Sequence, residues 1–317
     1  MASAHPAHSN TANAPGTLAA ANEEFWSNSA ETIFNEPWVL DFQAKMRAFL
    51  EKNVDWLGIV NDRTSATEGA EKKMLDYACG DGFLTRVAKL TIPQVYHPFF
   101  TKCIGIDIAA GMVKKYNEAA IELGLASEKM YAVKGDFTAS VLELPKTEDV
   151  ASTDLSRDEF FNFDFVGVAL ALHHMEDPEA AIIKMVERLK SGGVFLAIDL
   201  LNSEGVSESK DGEGNGGNHH HHHQGGHGHG HGHGHGHGHG HGHGHGHSHG
   251  ATATGRSGPA GHTISHDHPA FSIELVKGMF DRAGLTDVDI IYSDWKLELP
   301  FVTDPGAKLL VARGRKQ

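Results

Sequence analysis

The stretch Leu75-Asp-Tyr-Ala-Cys-Gly-Asp-Gly-Phe83 carries the densest chemistry in the chain. Gly80 and Gly82 let the backbone turn sharply and approach a ligand with no Cβ in the way. The run from Phe83 reads as a helix, and its N-terminus offers free N–H groups and a partial positive charge. Those features alone suit a carboxylate or a phosphate. The acids narrow the choice: Asp76 and Asp81 would repel a pyrophosphate but pair with an ammonium group. The spacing also misses the dinucleotide pattern G-x-G-x-x-G, because Thr85 stands at the third glycine.

Two more acids follow. Cys103-Ile-Gly-Ile-Asp107 ends in a carboxylate placed to accept from ribose hydroxyls at a sheet crevice. In Gly135-Asp136-Phe137, an Asp can accept from an adenine amino group and a Phe can pack on the ring.

These residues need strand ends to hold them, and the sequence supplies them. Met74–Ala78, Cys103–Asp107, Met130–Val133, Phe163–Leu170 and Val194–Ile198 read as buried strands. Helical faces stand between them: Phe83 to Leu90; Met112, Tyr116, Ala119 and Leu123, stopped at Gly124; and Ile182, Ile183, Val186 and Leu189 after Asp177-Pro178, ended by Gly192-Gly193. Ser272 caps a later helix, and Val288–Tyr292 and Leu309–Ala312 are expected as a final antiparallel pair. The fold class is α/β: a doubly wound, Rossmann-like, seven-stranded and mostly parallel sheet with helices on both faces and an antiparallel edge strand. Upstream, Trp38, Phe42, Met46, Phe49 and Leu50 form a helical stripe behind Pro37.

In order and spacing, D-x-A-C-G-D-G, I-G-I-D-I with Met112, G-D-F, A-L-H-H-M-E-D-P and R-L-K-S-G-G resemble the motif series of class I S-adenosylmethionine-dependent methyltransferases of the UbiE/type 11 kind. The likeness spans roughly 73–200. A weaker one over 262–317 is similar to fungal small-molecule methyltransferases. Ala78 and Ser191 depart from the common glycine and proline. The resemblance implies S-adenosyl-L-methionine as cofactor. Asp76, Ala78, Cys79, Gly80, Asp81 and Gly82 would line its methionine end, Asp107 and Ile108 its ribose, and Met112, Asp136, Phe137 and Ala169 its adenosine side. The acceptor is then a small molecule methylated at N, O or S, possibly a secondary metabolite. No N-P-P-Y follows the fourth strand, which disfavours amide or nucleobase nitrogen.

Transfer needs a base only if the acceptor has a proton to lose. Candidates are His173 and His174, then His262, His266 and His268; each has the alternative of shaping structure or pocket. Trp26, Trp38 and Phe42 are either a helical lid or ordinary core, and Trp295 and Phe301 are candidates for the acceptor wall. Two rival functions stand beside this reading: an NAD-dependent Rossmann oxidoreductase, and a non-catalytic cofactor-binding protein with a metal-sequestering loop.

That loop is the Gly/His-rich stretch within 202–261, which includes His219, His220, His221, His222 and His223. Val206 is its only large apolar residue, so it is expected to be disordered, with at most adventitious metal binding. Residues 1–21 are expected to be disordered too. The intervening segments, 22–201 and 262–317, form one domain with an N-terminal helical lid. Net charge is −14 over 317 residues, which disfavours nucleic acid or an anionic membrane as partner. There is no 18-residue apolar run and no secretory leader, and the two cysteines suit a reducing compartment, so a cytoplasmic setting is expected. Oligomeric state is not legible.

Overall fold

A computed structural model of the chain describes residues 17–58, 71–90, 100–138, 153–203, 264–265 and 269–317. The elements in order are α1 (Leu18–Ser29), α2 (Pro37–Lys52), β1 (Lys73–Tyr77), α3 (Phe83–Leu90), β2 (Lys102–Asp107), α4 (Ala110–Glu122), β3 (Met130–Lys134), β4 (Phe163–Ala169), α5 (Pro178–Glu187), β5 (Leu189–Leu201), α6 (Ile273–Arg282), β6 (Leu285–Lys296) and β7 (Lys308–Lys316). Short 3-10 turns occupy Ile33–Asn35, Asp158–Phe160 and Leu172–His174.

Seven strands form one sheet in the order β3-β2-β1-β4-β5-β7-β6. β1 to β5 pair in parallel. β7 enters between β5 and β6 and runs antiparallel to both, which makes the antiparallel edge. Alternate strand residues face two apolar layers, as the period of two requires. Met74, Cys103, Phe165 and Leu196 pack with Phe42, Met46, Leu84 and Tyr116 from α2, α3 and α4. Leu75, Ile104, Val166 and Phe195 pack with Ile182, Met185, Val276 and Phe280 from α5 and α6. Helices therefore cover both faces.

Local signals explain the helix ends. Asp177 accepts from the Ala180 amide at 2.8 Å with Pro178 in the first turn, and Ser272 accepts from Leu275 at 3.1 Å. Gly124 stops α4 with φ 66°. In α2, Val39, Phe42, Met46 and Leu50 are buried at spacings of three and four.

Three boundaries differ from expectation. Leu189 opens β5 rather than completing the face of α5, which stops at Glu187. It pairs with Phe163, and the register shifts before Val194 meets Phe165. Lys190–Gly193 therefore lie within the strand as an irregularity. β6 and β7 are longer than their apolar centres because charged residues such as Asp289 and Arg313 pair across the partly exposed edge. Residues 18–21, grouped with a disordered start, belong to α1, which Thr17 caps by accepting from Ala20 at 3.2 Å. Residues 1–16 and 204–263 lie outside the described residues.

Candidate active site

The chain switches direction at β1. β2 and β3 are laid to one side and β4 and β5 to the other. In such sheets the carboxyl ends of the strands open a crevice at that point. A cavity of about 330 Å³ opens here, within the usual range for small-ligand sites. Its floor is the ends of β1, β2 and β4. Its roof is Asn22 and Trp26 of α1, Phe34, and Trp38, Phe42 and Met46 of α2.

Asp76, on β1, is 2% exposed, and its Oδ2 accepts from the Thr85 amide at 3.1 Å and hydroxyl at 2.8 Å. Burial pushes its carboxyl up to about 7 despite those bonds. Asp107 accepts from the amides of Gly80 at 3.0 Å and Ala109 at 2.9 Å, and burial raises it to about 6. Asp136 accepts at Oδ1 from the Tyr77 hydroxyl at 2.8 Å and the Thr138 amide at 2.8 Å. All three line the cavity. Among the described residues, none of them forms a salt bridge with Lys, Arg or His.

Asp81 differs. It lines the cavity, but it accepts from the Phe83 amide at 3.1 Å and pairs with Arg86. It caps α3 and has its cation already. Of the two acids expected to pair with an ammonium group, Asp81 already has a cation partner, and Asp76 has no salt bridge among the described residues.

The remaining expected cofactor residues divide cleanly. Ala78, Cys79, Gly80, Ile108, Met112 and Ala169 line the cavity. Burial pushes the Cys79 thiol well up, so it is an uncharged wall and not a nucleophile. Gly80 has φ 51°, and a Cβ there would meet only Phe34, at 3.7 Å, so its face is open to a ligand. Gly82 has φ 77° and is not on the wall: a Cβ would strike the Tyr116 ring at 3.0 Å. Its lack of a side chain serves packing against α4. Phe137 is also off the wall. It stacks on Tyr77 at 4.8 Å and 9°, with the Arg188 guanidinium 4.5 Å from its ring, so it is not free to cover an adenine. Its proximity supports Tyr77, which does line the cavity.

Of the histidines, His173 and His174 line the cavity, whereas His262, His266, His268 and His219–His223 lie outside the described residues. Among the described residues no cluster of three metal-ligating side chains occurs. Both cysteines are buried, and no disulfide links them. Trp26, Trp38 and Phe42 line the cavity, and Phe42 also belongs to the core, so roof and core are one surface. Phe301 lines it and lies 6.0 Å from Trp38; Trp295 stands behind, 6.2 Å from Phe42.

Two residues with no sequence prediction hold this arrangement. Asn22 is buried; its Nδ2 donates to the His174 carbonyl at 3.0 Å, and its Oδ1 accepts from Trp26 Nε1 at 3.1 Å. Asp199, on β5, has Oδ1 2.6 Å from His173 Nδ1. A charged residue inside the apolar run Phe195–Leu201 was the one available signal for it.

Residues 42–241 match the methyltransferase domain family, more than half of the chain. The chain belongs to that family. A methyltransferase of Schizosaccharomyces pombe, itself uncharacterized, is 27% identical over 128 residues; the match covers 40% of this chain and 38% of that protein's length. Among solved structures, the YcgJ protein of Bacillus subtilis aligns with TM-score 0.44 at 15% identity, covering 83% of this chain and 99% of that one. Phosphoethanolamine N-methyltransferase 2 of Haemonchus contortus, solved with S-adenosyl-L-methionine, aligns with TM-score 0.46 at 11% identity, covering 92% and 60%.

The donor set of this methyltransferase domain fits S-adenosylmethionine. The burial-raised Asp76 and the other two carboxylates without a salt bridge suit a ligand with an ammonium and a sulfonium charge. Gly80 leaves room for close backbone approach, and Ile108 and Met112 provide an apolar slot between Asp107 and the roof. No described helix is long and apolar enough to cross a membrane.

Proposed function

We propose that the chain transfers the methyl group of S-adenosylmethionine to N, O or S of a small molecule. The observation that carries this reading is one cavity lined by Asp76, Asp107 and Asp136, at or just beyond the ends of three successive strands, with no salt bridge to any of them among the described residues. A pyrophosphate would be repelled there, which argues against a nicotinamide dinucleotide. Asp76 takes the amino-acid end, Asp107 the sugar, and Asp136 the base. When bound, the cofactor supplies an electrophilic methyl on a sulfonium.

The chain's own task is then positioning and water exclusion. The rims of α1 and α2 close over the strand ends with aromatic side chains, and His173, His174 and Phe301 face the acceptor side. Two buried cysteines with no disulfide between them support a cytoplasmic setting. The test is to titrate the tryptophan fluorescence of the roof with S-adenosylhomocysteine and, separately, NADH, and then screen acceptors for S-adenosylhomocysteine release. Saturable homocysteine-analogue binding with acceptor-stimulated release is expected. Tighter NADH binding, or release that no small acceptor stimulates, contradicts the proposal.

A further inference from the structure

We infer that Tyr77 is a positioning residue for base recognition. Its hydroxyl turns the Asp136 carboxylate so that a single oxygen is offered to the cavity, and the site thereby selects a base with an exocyclic amino group over one with an oxo group. This rests on the reading above, in which Asp136 takes the base of S-adenosylmethionine.

Tyr77 is the last residue of β1, and Asp136 stands two residues past the end of β3, with β2 between the two strands. Neighbouring strands lie about 4.8 Å apart, so the two side chains together must bridge about 10 Å. Tyrosine is long enough and ends in a donor. Its hydroxyl donates to Asp136 Oδ1 at 2.8 Å and accepts from the Phe137 amide at 3.2 Å. Burial, and then the Asp136 charge, push that hydroxyl well above the ordinary tyrosine range, so it stays protonated and remains a donor. The ring is held in place: it stacks on Phe137 at 4.8 Å, and the Arg188 guanidinium lies 4.5 Å from the Phe137 ring.

Oδ1 takes two further donors, the Thr138 amide at 2.8 Å and hydroxyl at 2.7 Å. A carboxylate oxygen has two lone pairs, so these donors leave nothing of Oδ1 for a ligand. Oδ2 accepts from none of the described residues, and Asp136 lies on the cavity wall. A ligand therefore meets one acceptor of fixed direction. An adenine amino group donates to it. The oxo group of a hypoxanthine only accepts, and two acceptors facing each other repel. A carboxylate free to turn would relieve that clash by meeting the ring N–H that hypoxanthine carries beside its oxo group. The lock, and not the charge alone, makes the distinction.

The Thr138 amide also fixes the outcome of one substitution. A backbone N–H only donates, so in Asp136→Asn the side-chain oxygen must take the Oδ1 position and the NH2 group the Oδ2 position. That variant offers the base a donor, which suits the oxo group.

The test titrates the full chain by calorimetry with S-adenosylhomocysteine and with S-inosylhomocysteine, in which an oxo group replaces the amino group. The wild type is expected to bind the adenosyl compound roughly 10- to 150-fold more tightly, the range for one hydrogen bond to a charged group. Tyr77→Phe is expected to narrow that ratio about 10-fold. Phe137→Leu loosens the stack but keeps the hydroxyl bridge, and is expected to lower the melting temperature while holding the ratio within about 3-fold. Asp136→Asn, with Tyr77 intact, is expected to reverse the preference. A merely structural tyrosine would weaken both ligands together and leave their ratio unchanged. A ratio unmoved in Tyr77→Phe, a wild type that binds the two compounds alike, or an Asp136→Asn chain that still prefers the adenosyl compound overturns the inference. If Tyr77→Phe does not fold, the wild type and Asp136→Asn decide it. Failure of both compounds to bind the folded wild type refutes the methyl-transfer reading instead.

Discussion

The carboxylate of Asp107, the last residue of β2, accepts from the amide of Gly80 at 3.0 Å and so ties the glycine loop of β1 to the neighbouring strand end. The same side chain faces the cavity, so loop shape and ligand contact depend on one residue. Asp107→Ala removes both a loop tie and a charged acceptor. Hydrogen bonds to charged groups are worth about 1.5–3 kcal/mol, so S-adenosylhomocysteine affinity is expected to fall roughly 10- to 150-fold. Equilibrium dialysis checks this, with circular dichroism to show the sheet intact; unchanged affinity contradicts the assigned contact.

Asp76 and Asp107 make cofactor binding depend on pH. Burial raises them to about 7 and about 6, above an ordinary aspartate. In the ligand-free fold they hold protons that the unfolded chain has released. Their contribution to stability is therefore full below about pH 4 and is lost as pH rises through about 6 and about 7. A cationic ligand beside Asp76 needs the ionised form, so affinity for S-adenosylmethionine rises across that window and binding releases protons. Calorimetry near about pH 6.5 in two buffers of different ionisation enthalpy is expected to show proton release in the wild type and less in Asp76→Asn. Proton uptake in the wild type contradicts this.

Ala78, the residue after β1, has φ 53°, in the left-handed region. A side chain held there costs on the order of 1–2 kcal/mol, partly offset by glycine's larger unfolded entropy. Ala78→Gly is expected to stabilise the fold by roughly 0.5–1 kcal/mol. A lowered melting temperature would contradict the strained assignment.

Gly111, in the first turn of α4, is where α1 rests. A Cβ there would lie 2.5 Å from the Ser27 carbonyl oxygen and 2.9 Å from the Ala30 Cβ. Backbone cannot yield as a flexible side chain can, so Gly111→Ala is expected to displace α1 at a cost of about 1–3 kcal/mol. Hydrogen exchange should quicken over residues 18–29 while the strands keep their protection. Protection of α1 equal to the wild type would show that it is not seated there.

Much of the cofactor side was readable because its signals are local. Glycine, acid and strand end stand within a few residues of each other at Asp76–Gly82 and at Asp107, and parallel pairing then brings them to one edge. The exceptions also have physical reasons. Asp81 finds Arg86 one helical turn on, and Phe137 finds Tyr77 sixty residues away, contacts that residue type alone does not reveal. The wall of the cavity around His173 and His174 was less legible because it is assembled across the chain. Asn22 reaches His174 across 152 positions, and Asp199 reaches His173 across 26. The first turn of α1 was missed because its small residues give a weak apolar stripe, and the helix gains its place by docking on Gly111. Leu189 was misplaced because an apolar residue after a helix suits either element until its partner Phe163 is known.

The most direct test of the central claim is a calorimetric titration of the full chain with S-adenosylmethionine, beside Asp107→Ala. Saturable binding at one site per chain, greatly weakened in the variant, is the expected result. A folded wild-type chain that gives no binding heat at millimolar ligand, under conditions where S-adenosylhomocysteine also fails to bind, would contradict it.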